Sequence, residues 1–304
     1  ALYNVSEGSE DGLQLWLDFS ARCPEKFNEA HCRYEWSRMT RTNMTIGTIR
    51  YFASVDSPEK YKSYSSVKQK QLMEDSLQGS HNDIAKLLHE EYGTEFVCAS
   101  VQGKVWYQST GQRWECIEEG VFLREKISSV IYSMFVEDGK HSFDMADLAQ
   151  GKSKAKQHFK LLENLKNANF KDNVMKEARE VFYDRFFKDK LDTDTYIIGF
   201  KNGVYDLRNS VFRAGRPEDY ISKSMPINYR IFASDDEKVL EVFSFFEKVF
   251  PDKALRNYFM DTASEIFVGG NFRKNVQMWI GEGDNGKSVT QMFFEHMLGP
   301  GYSI

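Results

Sequence analysis

Val276-Gln277-Met278-Trp279-Ile280-Gly281-Glu282-Gly283-Asp284-Asn285-Gly286-Lys287-Ser288 decides how this chain is read. From Gly281 onward it has the spacing of a phosphate-binding loop: glycine, four free positions, glycine, lysine, then serine or threonine. The apolar run 276–280 predicts a buried strand, and 289–298 predicts a helix with Val289, Met292, Phe293 and Met297 on one face. Strand, loop and helix in that order are the setting such a loop needs.

A nucleoside triphosphate carries several negative charges, which donors must hold at short range. Gly281, Gly283 and Gly286 are expected to take backbone angles closed to other residues. The amides of the loop, from Gly281, Glu282, Gly283, Asp284, Asn285 and Gly286 through Lys287, Ser288 and Val289, would then line an ATP site at the positive end of a helix. Lys287 is the candidate catalytic residue, reaching the β- and γ-phosphates, and the Ser288 hydroxyl is the candidate Mg²⁺ ligand. The alternative is a glycine-rich turn that only closes a strand-helix unit.

The 304 residues are enough for two or more domains, and 41% hydrophobic with 28% charged residues is a globular composition. No apolar run reaches the roughly 18 residues of a membrane span, and the N-terminus lacks the blocks of a signal peptide. No membrane partner and an intracellular location are therefore expected. Cys23, Cys32, Cys98 and Cys116 are too widely spaced for a zinc site and read as free, buried thiols, with His31 beside Cys32 the one hint otherwise. A net charge of −5 argues against uniform coating by nucleic acid. Residues 152–190 stand out, with eleven basic residues against six acidic. Lys152, Lys154, Lys156 and Lys160 are the candidate DNA contacts; an ordinary solvated helix face is the equal alternative.

In chain order, the first 61 residues read as small helices, one capped by Ser9 with Leu13, Trp16 and Leu17 on a face, another near 27–39. Glu10 and Asp11 are partners of a helix dipole. The polar stretch 62–80 reads as a linker, and Ser80 with Asp83 as a cap for a helix carrying Ile84, Leu87 and Leu88. Three strand-like runs between 95 and 117 predict a meander whose Trp106, Tyr107 and Trp114 are either core or a base-stacking platform. Helices follow with Leu123, Ile127, Val130, Ile131 and Met134, then Phe159, Leu162 and Leu165, then Val174, Ala178, Val181 and Phe182 on their inner faces. Residues 196–213 predict a hairpin turning at Asn202-Gly203, in which Asn202 and Asp206 are structural. Helical stripes at Val239, Val242, Phe243 and Phe246, and at Leu255, Phe259, Ala263, Ile266 and Phe267, lead to the loop. The fold class expected is α+β, mostly helical with small antiparallel elements, followed by the first β-α unit of an α/β P-loop ATPase.

The stretch from Trp279 to Ser288 resembles the start of a superfamily 3 helicase core, in which Asn-Gly-Lys-Ser is typical of primase-helicases of large DNA viruses, poxvirus-like ones included, and of phages and plasmids. Gly8-Ser9-Glu10-Asp11-Gly12-Leu13, Trp36 and 45–53 resemble the small domain that follows the polymerising domain in viral primase-polymerases. Phe200-Lys201-Asn202-Gly203-Val204-Tyr205-Asp206-Leu207, with Arg216-Pro217-Glu218-Asp219-Tyr220-Ile221, resembles the domain before the helicase core. The resemblance implies three parts: 1–65, a primase-associated helical domain; 66–233, a collar-type α+β domain; and 234–304, the start of an AAA+-like ATPase. It implies a parent enzyme that couples ATP hydrolysis to DNA unwinding as a homo-oligomeric, hexameric ring. It also implies other replication proteins as partners and a place in the host-cell cytoplasm or at a viral replication site. Ala1 in place of Met, and an end soon after the loop, lead to the expectation of a fragment, since in that family the acidic magnesium strand, the sensor and the arginine finger lie after Ile304. The rivals are another P-loop NTPase, such as a nucleotide kinase, and a non-catalytic DNA-binding or oligomerisation module.

Overall fold

The computed structural model describes residues 1–40, 44, 46–144, 149–270, 274, 276–299 and 302, with 51, 141–144 and 149–152 described by their backbone alone. Two compact units divide the chain: Ala1–Tyr107 with Ile117–Arg185, and Gln108–Cys116 with Phe186–Ile304.

The first unit opens with α1 (Leu2–Val5), α2 (Glu10–Ser20) and α3 (Glu29–Arg38). Ser9 Oγ accepts the Gly12 amide at 3.3 Å and Asn28 Oδ1 the His31 amide at 3.0 Å, so each helix starts where a side chain satisfies an amide lacking a helical partner. Leu13 and Leu17 are buried with Trp36, which is stacked on Trp16 at 5.7 Å. Next come α4 (Ile46–Asp56), α5 (Pro58–Ser76) and α6 (His81–Tyr92). The stretch expected as a linker is thus a helix. Pro58 sits in its first turn, lysine and glutamine favour helix, and Met73 and Leu77 are buried in the core that α6 supplies. Ser80 caps α6, accepting the Asp83 amide at 3.4 Å. On α6, Glu90 joins three helices: Arg50 of α4 lies at 3.0 Å and Lys68 of α5 at 2.6 Å, with the Glu90 side chain only 8% exposed.

Strands β1 (Phe96–Ser100), β2 (Val105–Ser109) and β3 (Trp114–Glu118) form a sheet in that order. Helix α7 (Val121–Lys126) runs through a π turn, Ile127–Ile131, into α8 (Tyr132–Asp144), followed by α9 (Ala149–Lys166) and α10 (Ala168–Val181). The core beneath takes Leu123, Ile127, Ile131 and Phe135, every fourth residue. An α-helix would carry such a series around its axis, and the wider π turn returns it to one face, which is why Val130 and Met134 are only half-buried. On α9 the buried positions are His158, Leu161 and Leu165, while Phe159, expected inside, is 63% exposed. The inward imidazole is satisfied: Nε2 lies 3.0 Å from Asp138 Oδ2 and Nδ1 3.2 Å from the Lys154 carbonyl oxygen. Trp106 is fully buried, so it is core and not a stacking platform. Of the cysteines only Cys98 is buried, where burial pushes its thiol up; Cys23 and Cys116 are exposed and Cys32 half-buried, against the expectation that all four are inside.

In the second unit, Trp114 is core too: its Nε1 donates to the Pro217 carbonyl at 2.7 Å and its ring meets Phe187 edge-on at 4.9 Å. A short helix α11 (Phe187–Lys190) precedes the antiparallel sheet β4 (Ile197–Phe200), β5 (Gly203–Asp206) and β6 (Val211–Arg213). Phe200 pairs with Gly203, leaving Lys201-Asn202 as a two-residue turn. Asn202 clamps Tyr229 through the latter's amide (2.8 Å) and carbonyl (3.1 Å), and Asp206 accepts from the Arg208 amide at 3.0 Å and from Asn209 Nδ2 at 2.8 Å. Both are turn-closing residues, as expected. Then come α12 (Glu237–Val249), α13 (Lys253–Ser264), a 3₁₀ turn at Glu265–Phe267 and α14 (Lys287–Leu298). Of the two stripes expected on α12 and α13, only Phe246 and Phe259 are buried.

The fold is therefore α+β, with helices dominant and, among the described residues, two three-stranded sheets. The strand expected at 276–280 is not formed among the described residues. The segment pairs with no strand there, and Val276 and Ile280 are 90% and 89% exposed. An apolar run has strand propensity only in so far as a neighbour covers it. Among the described residues no helix is long and apolar enough to cross a membrane.

Candidate functional site

The glycine-rich turn lies in the second unit and runs straight into α14. Gly286 is the N-cap residue at φ 81°, and no side chain caps the helix. Ser9, Asn28, Ser80, Asn167, Asp236 and Asp252 each accept an amide at the head of their helices, whereas α5, with Pro58 in its first turn, shares with α14 the lack of a side-chain cap. The first turn of α14 leaves amides of Lys287, Ser288 and Val289 at the positive end of a helix dipole without such a partner.

Lys287, the first helical residue, folds back over the turn. Its Nζ donates to the carbonyls of Gly281 at 2.9 Å and Glu282 at 3.1 Å and to Asn285 Oδ1 at 2.7 Å. Asn285 in turn lies under Gly281, where a Cβ would come within 2.1 Å of its Nδ2. One side chain thus explains both the glycine at 281 and the ammonium's place. Thr290 was missed in the sequence: it is buried, and its Oγ1 donates to the Gly286 carbonyl at 3.0 Å, fixing the turn to the helix. Its position four residues after a loop glycine was the available signal. Ser288 and Val289 are exposed, as are Glu282, Gly283, Asp284 and Asn285.

The three glycines are not equivalent. Gly286 combines its positive φ with a Val249 methyl 2.7 Å from where a Cβ would stand, but Gly283 has neither a positive φ nor any atom within 4 Å of that point. The left-handed residue beside it is Asp284, at φ 57°. The expectation that all three glycines serve backbone angles closed to other residues holds for Gly286 and is corrected for Gly281 and Gly283, neither of which has a positive φ. Gly286→Ala should lower stability by about 1–3 kcal/mol through strain at that φ and the valine contact, while Gly283→Ala should leave the melting temperature unchanged. Thermal unfolding of the two variants checks this; equal melting temperatures would refute the assignment.

A cleft of about 620 Å³ adjoins the turn, lined by residues 276–280 with Val249, Tyr258, Asn285, Lys287 and Thr290 among others. Among the described residues no group of three or more His, Cys, Asp or Glu could hold a metal ion. The four lysines singled out for DNA lie on α9 in the first unit. They do not act alike: Lys154 Nζ is 3.6 Å from Glu74, Lys156 and Lys160 are exposed, and Lys152 is described by its backbone alone.

An α+β chain that carries a P-loop sequence at an uncapped helix N-terminus is the class these observations define. Residues 85–268 match the model of the family described as D5 N terminal like, and residues 1–53 match that of Primase C terminal 2. The chain belongs to the D5 N terminal like family. It is 34% identical, over 95% of its length and 31% of the relative's, to a protein of Acanthamoeba polyphaga mimivirus named "putative helicase". A protein of Invertebrate iridescent virus 3 with the same name is 29% identical over 98% of this chain and 36% of its own length. A "putative primase" of African swine fever virus is 25% identical over 100% of this chain and 34% of its own. The chain thus spans about a third of the length of the curated relatives it matches. The loop, 281–288, lies outside both family matches.

Proposed function

We propose that the chain is part of a viral DNA-replication primase-helicase that binds ATP and Mg²⁺ at Gly281, Glu282, Gly283, Asp284, Asn285, Gly286, Lys287, Ser288 and Val289. The observation that carries this is the head of α14: amides without a side-chain cap, next to a lysine whose ammonium is held by oxygens of exposed loop residues. Such a place suits an anion, because phosphate oxygens accept from the amides and exchange weak carbonyl partners of the lysine for charged ones. Lys287 would hold the β- and γ-phosphates and Ser288 would ligate Mg²⁺, which neutralises phosphate charge when bound. The names of the relatives support a helicase or primase as the whole protein, with DNA and other replication proteins as partners. In that protein, ATP hydrolysis drives DNA unwinding, and a homo-oligomeric ring, hexameric in this reading, places ATP between neighbouring subunits.

Titration calorimetry with ATP, with and without Mg²⁺, tests the site. ATP should bind, Mg²⁺ should tighten it, and Ser288→Ala should remove most of the Mg²⁺ effect. A folded protein that binds no ATP at millimolar concentration, or whose Mg²⁺ dependence survives Ser288→Ala, would overturn the assignment.

A further inference from the structure

The cleft beside the phosphate loop extends beyond anything a phosphate could use. It begins at Asn285 and Lys287 and continues along walls of Val249, Phe250, Leu255 and Phe259, which offer an anion nothing. Its volume of about 620 Å³ falls within the roughly 300–1,000 Å³ of small-molecule sites. The inner rings are committed to one another: Phe250 and Phe259 are stacked at 4.4 Å, and Phe259 is buried. Two other aromatic side chains that line the cleft are not. Tyr258, on α13, is 62% exposed and meets no other ring among the described residues. Trp279 is 43% exposed and meets only Phe259 there, at 5.6 Å and an interplanar angle of 67°, so at least one face of its indole carries no ring. Gln277 lines the same cleft, and among the described residues its side-chain amide has no hydrogen-bond partner.

We propose that this cleft is the nucleoside subsite of the phosphate loop, with Tyr258 and Trp279 supplying the ring faces on which a nucleobase stacks. The inference rests on the ATP site proposed above and says what holds the other end of the ligand. A nucleoside triphosphate is charged at one end and carries at the other a flat ring with apolar faces and a polar edge. The surface running from the loop into the cleft has the same two chemistries in the same order: amides and an ammonium first, then aromatic and aliphatic walls. Aromatic side chains hold bases by stacking, and the Gln277 amide can both donate to and accept from the base's edge. An acyl chain or an apolar peptide would cover the walls but leave the amides and Lys287 at the mouth of the cleft without an anion.

Calorimetry with ATP and with inorganic tripolyphosphate, Mg²⁺ in excess, separates the two ends of the ligand. The wild type should bind ATP more tightly than tripolyphosphate. Tyr258→Ala should weaken ATP binding by about 5- to 100-fold and leave tripolyphosphate unchanged, while Tyr258→Phe should keep the wild-type affinity for ATP. Trp279→Ala should act as Tyr258→Ala does. Circular dichroism melting shows which variants are folded; the exposed Tyr258 can be replaced without loss of core, and its variants decide the matter if Trp279→Ala unfolds. Equal affinity of the wild type for the two ligands, unchanged ATP binding in Tyr258→Ala, an equal loss for both ligands, or no binding of either would each overturn the inference. Lys287→Ala tells the two readings apart. If it weakens ATP binding and Tyr258→Ala does not, the phosphate loop stands and the nucleoside subsite falls; the reverse result keeps the subsite and removes the loop.

Discussion

Lys287→Ala is expected to weaken ATP binding by roughly 10- to 100-fold, the loss of one or more charge-assisted hydrogen bonds, without lowering the melting temperature appreciably. The three acceptors that now hold the ammonium are two loop carbonyls and the Asn285 amide oxygen, all exposed. Water replaces them at little cost when the lysine is gone, so the fold scarcely notices. A bound triphosphate has no such substitute. Calorimetry paired with thermal unfolding separates the two effects: unchanged affinity in a normally folded variant would remove the lysine from the site, and a large drop in melting temperature would recast it as structural.

The second large effect concerns stability. Glu90→Ala leaves Arg50 and Lys68, which meet at one Glu90 oxygen, without the carboxylate between them, and should cost about 1–3 kcal/mol, less than a fully buried pair because both cations are partly exposed. Acid should reproduce part of this. Burial alone would raise the Glu90 carboxyl, but Lys68 and Arg50 outweigh it and hold it below its ordinary 4.5. A carboxylate lowered in the fold stabilises above the unfolded value and loses that contribution as pH falls through the folded one. His89 acts earlier. Burial, with Arg50 nearby, holds it below 6.5, so the unfolded chain takes up a proton that the fold refuses and stability declines from about that pH downward. Denaturant midpoints across pH should therefore fall in two stages. Glu90→Ala should shrink the lower stage, to which Asp194 and Asp206 also contribute, and deepen the upper one, because Glu90 opposes the lowering of His89. A midpoint flat from neutral to acid pH would refute this account.

Much of the fold was legible because its signals are local. Ser9 and Ser80 announce helix starts by supplying an oxygen, and Asn202-Gly203 between apolar runs announces a hairpin, although the two-residue turn falls one position earlier, at Lys201-Asn202. The loop at 281–288 was legible for the same reason, in its spacing and in the left-handed glycine at 286. What escaped the sequence depends on partners elsewhere in the chain. His158 is inside and Phe159 outside because Asp138 and the Lys154 carbonyl satisfy an imidazole, information no periodicity contains. The π turn after α7 shifts the inner face by changing the helical repeat itself. Residues 62–76 look like a linker until α6 gives Met73 and Leu77 something to cover. At 276–280 the composition was right for a strand, but a strand is a relation between two segments and composition describes one.

The hairpin tip Gln108–Cys116 belongs to the second unit although the chain on either side of it belongs to the first. The polypeptide therefore passes between the units three times, at 107–108, 116–117 and 185–186. A single cut cannot part them. Cleavage after residue 185 would strip the second unit of Trp114, with its bond to the Pro217 carbonyl, its edge-on contact with Phe187 and the 2.7 Å bond from its amide to the Ile221 carbonyl. The two units are separable in the contact pattern but not as two consecutive lengths of sequence.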